Sequence, residues 1–207
     1  MTLDEAIAAC PIVAILRGVK PDEVAGVGEA LFQSGVRAVE VPLNSPNPLS
    51  SIRRLVDRLG AHMACGAGTV LSAADVGGAV EAGASFVVSP NTDGAVIRRA
   101  VALGLEPAPG FATASEAFQA LGAGARHLKL FPAATYGPGH LRQLKAVLPD
   151  EAIVWAVGGV GATDLAPWWD AGARAFGIGS EIYRPGQSVA ETSAKAAALV
   201  EAARALR

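Results

Sequence analysis

The stretch Ala123-Gly124-Ala125-Arg126-His127-Leu128-Lys129-Leu130 ends a helix at a glycine, turns on a small residue and enters a strand. Alternation along that strand sends Leu128 and Leu130 to one face and His127, Lys129 and Phe131 to the other. The layout recurs as Ser-Gly-Val-Arg-Ala-Val-Glu-Val (34–41), Ala-Gly-Ala-Ser-Phe-Val-Val-Ser (82–89) and Ala-Gly-Ala-Arg-Ala-Phe-Gly-Ile (171–178). Between these units lie strand-like runs at 12–17, 62–67, 105–109 and 153–157. Helical patterns occupy 22–33, 48–59, 73–82, 94–103, 115–121, 140–148, 162–170 and 189–206. Strict alternation demands parallel strands joined by helical crossovers. About eight such units in 207 residues predict an α/β fold, a single (β/α)8 TIM barrel spanning residues 1–207. An open doubly wound sheet is the alternative, weakened in its dinucleotide-binding form by the lack of a Gly-x-Gly-x-x-Gly turn after the first strand.

The chain is 51% hydrophobic and 17% charged, with a net charge of −2. That balance argues against a nucleic-acid surface and offers no polybasic membrane patch. No apolar run approaches the roughly 18 residues of a spanning helix. Met-Thr-Leu-Asp-Glu carries acids and no basic region, so no secretory signal is expected and a cytoplasmic location is the default. Cys10 and Cys65 suggest neither a metal spacing nor a disulfide framework, and Cys65 reads as buried and inert.

In a barrel of this kind the active site lies at the C-terminal ends of the strands. Those ends carry Arg17, Glu40, Thr69, Ser89-Pro90, Pro109, Lys129 with Phe131, Gly158-Gly159 and Gly179-Ser180. Lys129 faces an enclosed interior, where desolvation disfavours the ammonium and yields an amine able to attack a ketone. A structural lysine, paired with a buried acid or snorkelling to the rim, is the other reading of that strand alone. Glu40 tips the balance. It occupies the same position of the repeat with the same parity, and a purely structural buried ion pair seldom outperforms apolar packing. With Lys129 as nucleophile, Glu40 is the natural proton shuttle. Arg17 offers a guanidinium for a carboxylate or phosphate, unless it merely reaches solvent at the rim. Gly66-Ala67-Gly68-Thr69 reads as a flexible turn suited to an anion, a weak signal alone. The glycine pairs after the last two strands suit a phosphate held by backbone amides. His127 reads as packing or as a supporting hydrogen-bond partner, and the three tryptophans as core or subunit contact. His62 and His140 lack partners at metal spacing, so no metal is expected.

Those same residues carry a resemblance to the class I aldolases that split 2-keto-3-deoxy-6-phospho sugar acids. Its motifs are Ile-Leu-Arg-Gly (15–18), Val-Glu-Val-Pro-Leu-Asn-Ser-Pro (39–46), Gly-Ala-Gly-Thr-Val-Leu (66–71), Val-Ser-Pro-Asn (88–91), Leu-Lys-Leu-Phe-Pro (128–132), Ala-Val-Gly-Gly-Val (156–160) and Gly-Ile-Gly-Ser (177–180). The resemblance implies a Schiff base on Lys129, acid/base work by Glu40, and Arg17 with Thr69 for the pyruvate carboxylate. It also implies Pro90 and Phe131 as pocket lining, and Gly158, Gly159, Gly179 and Ser180 for the phosphate. Pyruvate and glyceraldehyde 3-phosphate would be the products, without a metal or organic cofactor, in a homotrimer. Gluconate-type members typically carry Glu-Val-Thr-Leu-Arg-Thr at the second strand and a threonine before the paired glycines. Here Pro42, Asn44 and Val157 stand at those places, which favours the galactonate epimer of the substrate. The gluconate epimer and 4-hydroxy-2-oxoglutarate remain alternatives. So do a phosphosugar isomerase or epimerase using Glu40 alone, and a non-catalytic phosphosugar sensor.

Overall fold

A computed structural model describes residues 1–206. The strands are β1 (Ile12–Ile15), β2 (Ala38–Pro42), β3 (Ala64–Gly68), β4 (Phe86–Val88), β5 (Glu106–Ala108), β6 (Gly110–Phe111), β7 (His127–Leu130), β8 (Ile153–Val157) and β9 (Ala175–Ile178). The helices are α1 (Leu3–Ala9), α2 (Val24–Ser34), α3 (Pro48–Leu59), α4 (Ala73–Glu81), α5 (Gly94–Ala102), α6 (Ala114–Gly122), α7 (Ala133–Lys145), α8 (Leu165–Asp170) and α9 (Val189–Arg204). Among the described residues, none of these helices is long and apolar enough to cross a membrane.

All strand pairs are parallel, in the order β5-β4-β3-β2-β1-β9-β8-β7-β6. The predicted fifth strand is broken at Pro109, which has no N–H for a ladder. β5 falls within the predicted run 105–109 and pairs with β4, while β6, just beyond that run, is a short strand the sequence reading does not include and pairs with β7. The Lys129 N–H donates to the Pro109 carbonyl at 2.8 Å. The ring therefore closes through residues 106–111, giving the expected (β/α)8 barrel with one interrupted stave.

Period-two alternation sorts the core into two shells. Leucines, valines and isoleucines such as Leu128, Leu130, Val39 and Val41 point outward under the helices. Val13, Ile15, Ala38, Ala64, Phe86, Val88, Ala108, Trp155, Val157 and Ala175 fill the interior. Small residues on some staves leave room for large ones on others. Phe86 and Trp155 meet edge to face with ring centres 6.4 Å apart. A Cβ at Gly66 would lie 2.6 Å from the Phe86 ring, so the strand needs glycine there.

The sequence reading omits α1. A capping box joins Thr2 to Glu5, and Leu3, Ala6 and Ile7 close the N-terminal end of the barrel. Asp4 reaches the same end and binds His127, whose Nε2 lies 3.0 Å from Asp4 Oδ1. Trp155 Nε1 donates to His127 Nδ1 at 3.1 Å, which leaves the imidazole proton on Nε2. His127 is thus a structural link at the closed end, two residues below Lys129 on the same face. Helix α7 also departs from expectation. It starts at Ala133 rather than 140, and is interrupted where Gly137 takes φ 75° ahead of Pro138.

Burial pushes the His127 imidazole down to about 4, against the raising effect of Asp4, with Arg126 lowering it further. Glu106 also faces it, with Oε1 at 3.9 Å. A histidine titrating lower in the native state destabilises it as pH falls. The unfolded chain takes up a proton near 6.5 that the native state refuses until about 4. We expect the His127 ring resonances to show a neutral imidazole at pH 5. His127→Gln should lose the part of the stability decline between pH 6.5 and 4 that belongs to this group, up to ~3 kcal/mol. Protonation near pH 6.5 in the folded protein would contradict this account.

Candidate active site

Glu40 on β2 and Lys129 on β7 sit four staves apart in either direction around the ring, on opposite walls. Their register places Glu40 beside Gly66 and Lys129 beside Gly110 and Trp155, on the interior face. Both are buried, at 3% and 6% exposure, although both are charged in water. Burial pushes the Glu40 carboxyl above its usual range, while Lys129 and then Arg17 pull it back. Burial drives the Lys129 ammonium below its usual range; Glu40 draws it back up, and Arg17 lowers it further. Each group thus moves towards neutrality and is held partway by the other. Such an arrangement can supply an amine nucleophile and a proton carrier in one enclosed space.

Glycine makes the space for the acid. A Cβ on Gly68 would fall 1.3 Å from Glu40 Oε2, so the carboxylate occupies the place of that missing side chain. The segment expected to be a flexible turn at 66–69 is instead strand up to Gly68, and its glycines accommodate Phe86 and Glu40. Thr69, just past the strand, has φ 55°. A β-branched residue in the left-handed region is a true outlier, and such strain gathers at functional sites.

Above the pair opens a cavity of about 840 Å³ at the C-terminal ends of the strands. Arg17, Thr69, Pro90, Lys129 and Phe131 line it. Gly158, Gly159, Gly179 and Ser180 line it as well, together with Val157 and Gly177 from the strands below. Glu40 lies beneath this lining. The Phe131 ring centre is 4.7 Å from Lys129 Nζ. Gly158 and Gly159 take φ 98° and 71°, and a Cβ on Gly159 would lie 2.6 Å from Ala134, so both conformation and space demand glycine. A Cβ on Gly179 would meet nothing within 4 Å, so its side of the backbone faces open space. The fold brings Arg17, Thr69, Pro90, Lys129, Phe131, Gly158, Gly159, Gly179 and Ser180 to this one end, with Glu40 beneath them, and leaves His127 at the other.

Arg17 stands two residues past β1 and is exposed. Its Nη1 donates to Asn44 Oδ1 at 2.6 Å and its Nη2 to Thr69 Oγ1 at 3.5 Å. The Gly18 N–H donates to Ser45 Oγ at 2.9 Å. Both Asn44 and Ser45 lie in the motif at 39–46, but in the sequence Asn44 stands out only as a departure from the gluconate-type pattern and Ser45 carries no role of its own. Among the described residues, no group of three or more His, Cys, Asp or Glu side chains is arranged to hold a metal.

A family model described as "Aldolase: KDPG and KHG aldolase" matches residues 3–197. The chain is 49% identical to the 2-dehydro-3-deoxy-6-phosphogalactonate aldolase of Escherichia coli K12, over 94% of this chain and 95% of that protein. It is 44% identical to the probable 2-dehydro-3-deoxy-6-phosphogalactonate aldolase of Rhizobium meliloti, over 93% and 91% of the two chains. A solved structure described as native KDPGal superposes with a TM-score of 0.93 at 48% identity, covering 95% of each chain.

Two substitutions test this geometry. Gly68→Ala should leave the barrel folded but displace the Glu40 carboxylate, reducing kcat at least about 100-fold, in the range of a lost acid/base group. Thr69→Gly should relieve the left-handed strain, keeping the thermal midpoint at or above that of the parent while activity falls. Unchanged kcat in the first variant, or a sharp drop in midpoint in the second, would contradict these assignments.

Proposed function

The chain belongs to the KDPG and KHG aldolase family, a family of carbon–carbon lyases, and from that premise we propose that it cleaves 2-dehydro-3-deoxy-6-phosphogalactonate to pyruvate and glyceraldehyde 3-phosphate. The observation that carries the chemistry is the burial of Lys129 opposite Glu40, with burial lowering the amine's pKa and raising the carboxyl's.

In this reading neutral Lys129 attacks the C2 ketone, and loss of water leaves a protonated imine. Glu40 carries the protons of that dehydration. The iminium then accepts the electron pair of the C3–C4 bond as the C4 hydroxyl gives up its proton to Glu40. That step frees the aldehyde as glyceraldehyde 3-phosphate and leaves an enamine of pyruvate on Lys129. Glu40 returns a proton to C3, and water hydrolyses the imine to release pyruvate. The lysine supplies covalent catalysis, so no metal or organic cofactor enters the sequence.

Arg17 and Thr69 receive the pyruvate carboxylate, and Pro90 and Phe131 border the reacting carbons. The phosphate goes to backbone N–H groups around Gly158, Gly159, Gly179 and Ser180, where positive φ at Gly158 and Gly159 and the open space beside Gly179 permit close approach. Galactonate is favoured over gluconate by the names of the two relatives at 49% and 44% identity. A relative named for the phosphogluconate substrate is 36% identical, over 70% of this chain. Val157 on the cavity wall agrees with that preference, because an apolar group there offers no hydrogen bond to a C4 hydroxyl. A homotrimer, on the strength of the family resemblance, and a cytoplasmic location, the default reading of the sequence, complete the proposal.

The test is trapping with borohydride. With pyruvate present, reduction should leave one reduced pyruvate adduct per chain, on Lys129, and Lys129→Ala should show neither adduct nor turnover while remaining folded. Values of kcat/KM measured side by side for the two epimers should favour the galactonate form. Near-normal cleavage by Lys129→Ala would eliminate the mechanism.

A further inference from the structure

We propose that Asn44 is the positioning residue for Arg17: its side-chain carbonyl holds the guanidinium where the carboxylate of the pyruvate half is received. The inference rests on the reading of Lys129 and Arg17 given above. It assigns to Asn44 a task different from contact with the sugar chain.

Arg17 needs such a partner. It leaves the barrel two residues beyond the end of β1, it is exposed, and a free arginine side chain samples many rotamers. Of its two side-chain hydrogen bonds, the one to Asn44 Oδ1 is short, at 2.6 Å. The one to Thr69 Oγ1, at 3.5 Å, is at the limit of a hydrogen bond and is easily exchanged for a substrate oxygen. The backbone is held from the same side. Gly18, the next residue, donates its N–H to Ser45 Oγ at 2.9 Å, and Ser45 is buried. The Leu16 N–H donates to the Glu40 carbonyl at 3.0 Å. Residues 16–18 are thus fixed by residues 40–45, in the segment that also carries Glu40. β2 and the turn that follows it set both the acid and the anion-binding arginine.

The chemistry of the acceptor matters as much as its place. Among the described residues no carboxylate forms an ion pair with Arg17. An amide oxygen orients the guanidinium without an ion pair, so it stays open to an incoming carboxylate, with Glu40 within its field but not paired to it. An aspartate at position 44 would keep the hydrogen bond and compete with the substrate's own carboxylate. The neutral acceptor is the feature that fits an anion site.

The experiment measures the pyruvate concentration giving half-maximal borohydride trapping on Lys129, a readout that involves neither the phosphate nor the sugar carbons. Asn44→Ala should raise it about tenfold, in keeping with loss of one hydrogen bond to a charged group. The trapping rate at saturating pyruvate and the thermal midpoint should stay near those of the parent. Asn44→Asp should also raise it, through charge rather than through loss of the bond. Adding Asn44→Ala to Arg17→Ala should change nothing further, because Asn44 acts only through the arginine. An unchanged pyruvate dependence in Asn44→Ala would overturn the proposal, as would an effect that persists without Arg17. Absence of any Lys129 adduct in the parent protein is a separate result, which would overturn the aldolase mechanism itself.

Discussion

The structure turns on the desolvation of two opposite charges on facing walls of a closed barrel. Removing a carboxylate or an ammonium from water is costly by several kcal/mol for each ion, even after relaxation. Apolar residues at positions 40 and 129 would fill the interior without that penalty. Glu40 and Lys129 are each sustained by the field of the other, so the loss of either would leave an uncompensated charge. The surrounding sequence yields to this pair. Gly68 gives up its side chain to the carboxylate, and Phe131 lays a ring over the amine.

A barrel interior filled this way divides along its axis. The N-terminal end is a packed core, where α1 stoppers the opening and Asp4, His127 and Trp155 form a hydrogen-bonded chain. His127 and Lys129 share a strand and a face two residues apart, yet their surroundings give them different work. The histidine is fully enclosed and has both ring nitrogens engaged. The lysine opens onto a cavity, and its partner charge stands across the barrel rather than at its side. Burial lowers the pKa of both, and only the lysine is reachable by a ligand.

The C-terminal end is built from loops whose backbones are constrained in different ways. Gly158 and Gly159 adopt left-handed conformations at no steric penalty, and the Gly159 position is closed to a side chain by Ala134. Thr69 adopts one against its own β-branched side chain. The strain at Thr69 and the tether from Asn44 to Arg17 act on the same small region, where two long or restricted side chains are held in place before any ligand arrives. Preorganisation of this kind removes an ordering penalty from binding.

The sequence by itself determined the eight strand–helix units, the parity of Glu40 and Lys129, and the rim positions from which the other site residues project. These are local properties: a period of two along a strand and a glycine after a helix are written in consecutive residues. The tertiary structure alone decided what lies across the barrel or between neighbouring loops. Gly66 and Gly68 read as a flexible turn because nothing adjacent in sequence reveals Phe86 and Glu40 beside them. The break at Pro109 matters because its two sides pair with different neighbours, and α1 escaped notice although Thr2 and Glu5 spelled its capping box. Asn44 became a partner of Arg17, 27 residues away, only when the first two strands lay side by side. Ring closure makes those neighbours, and a linear pattern does not contain it.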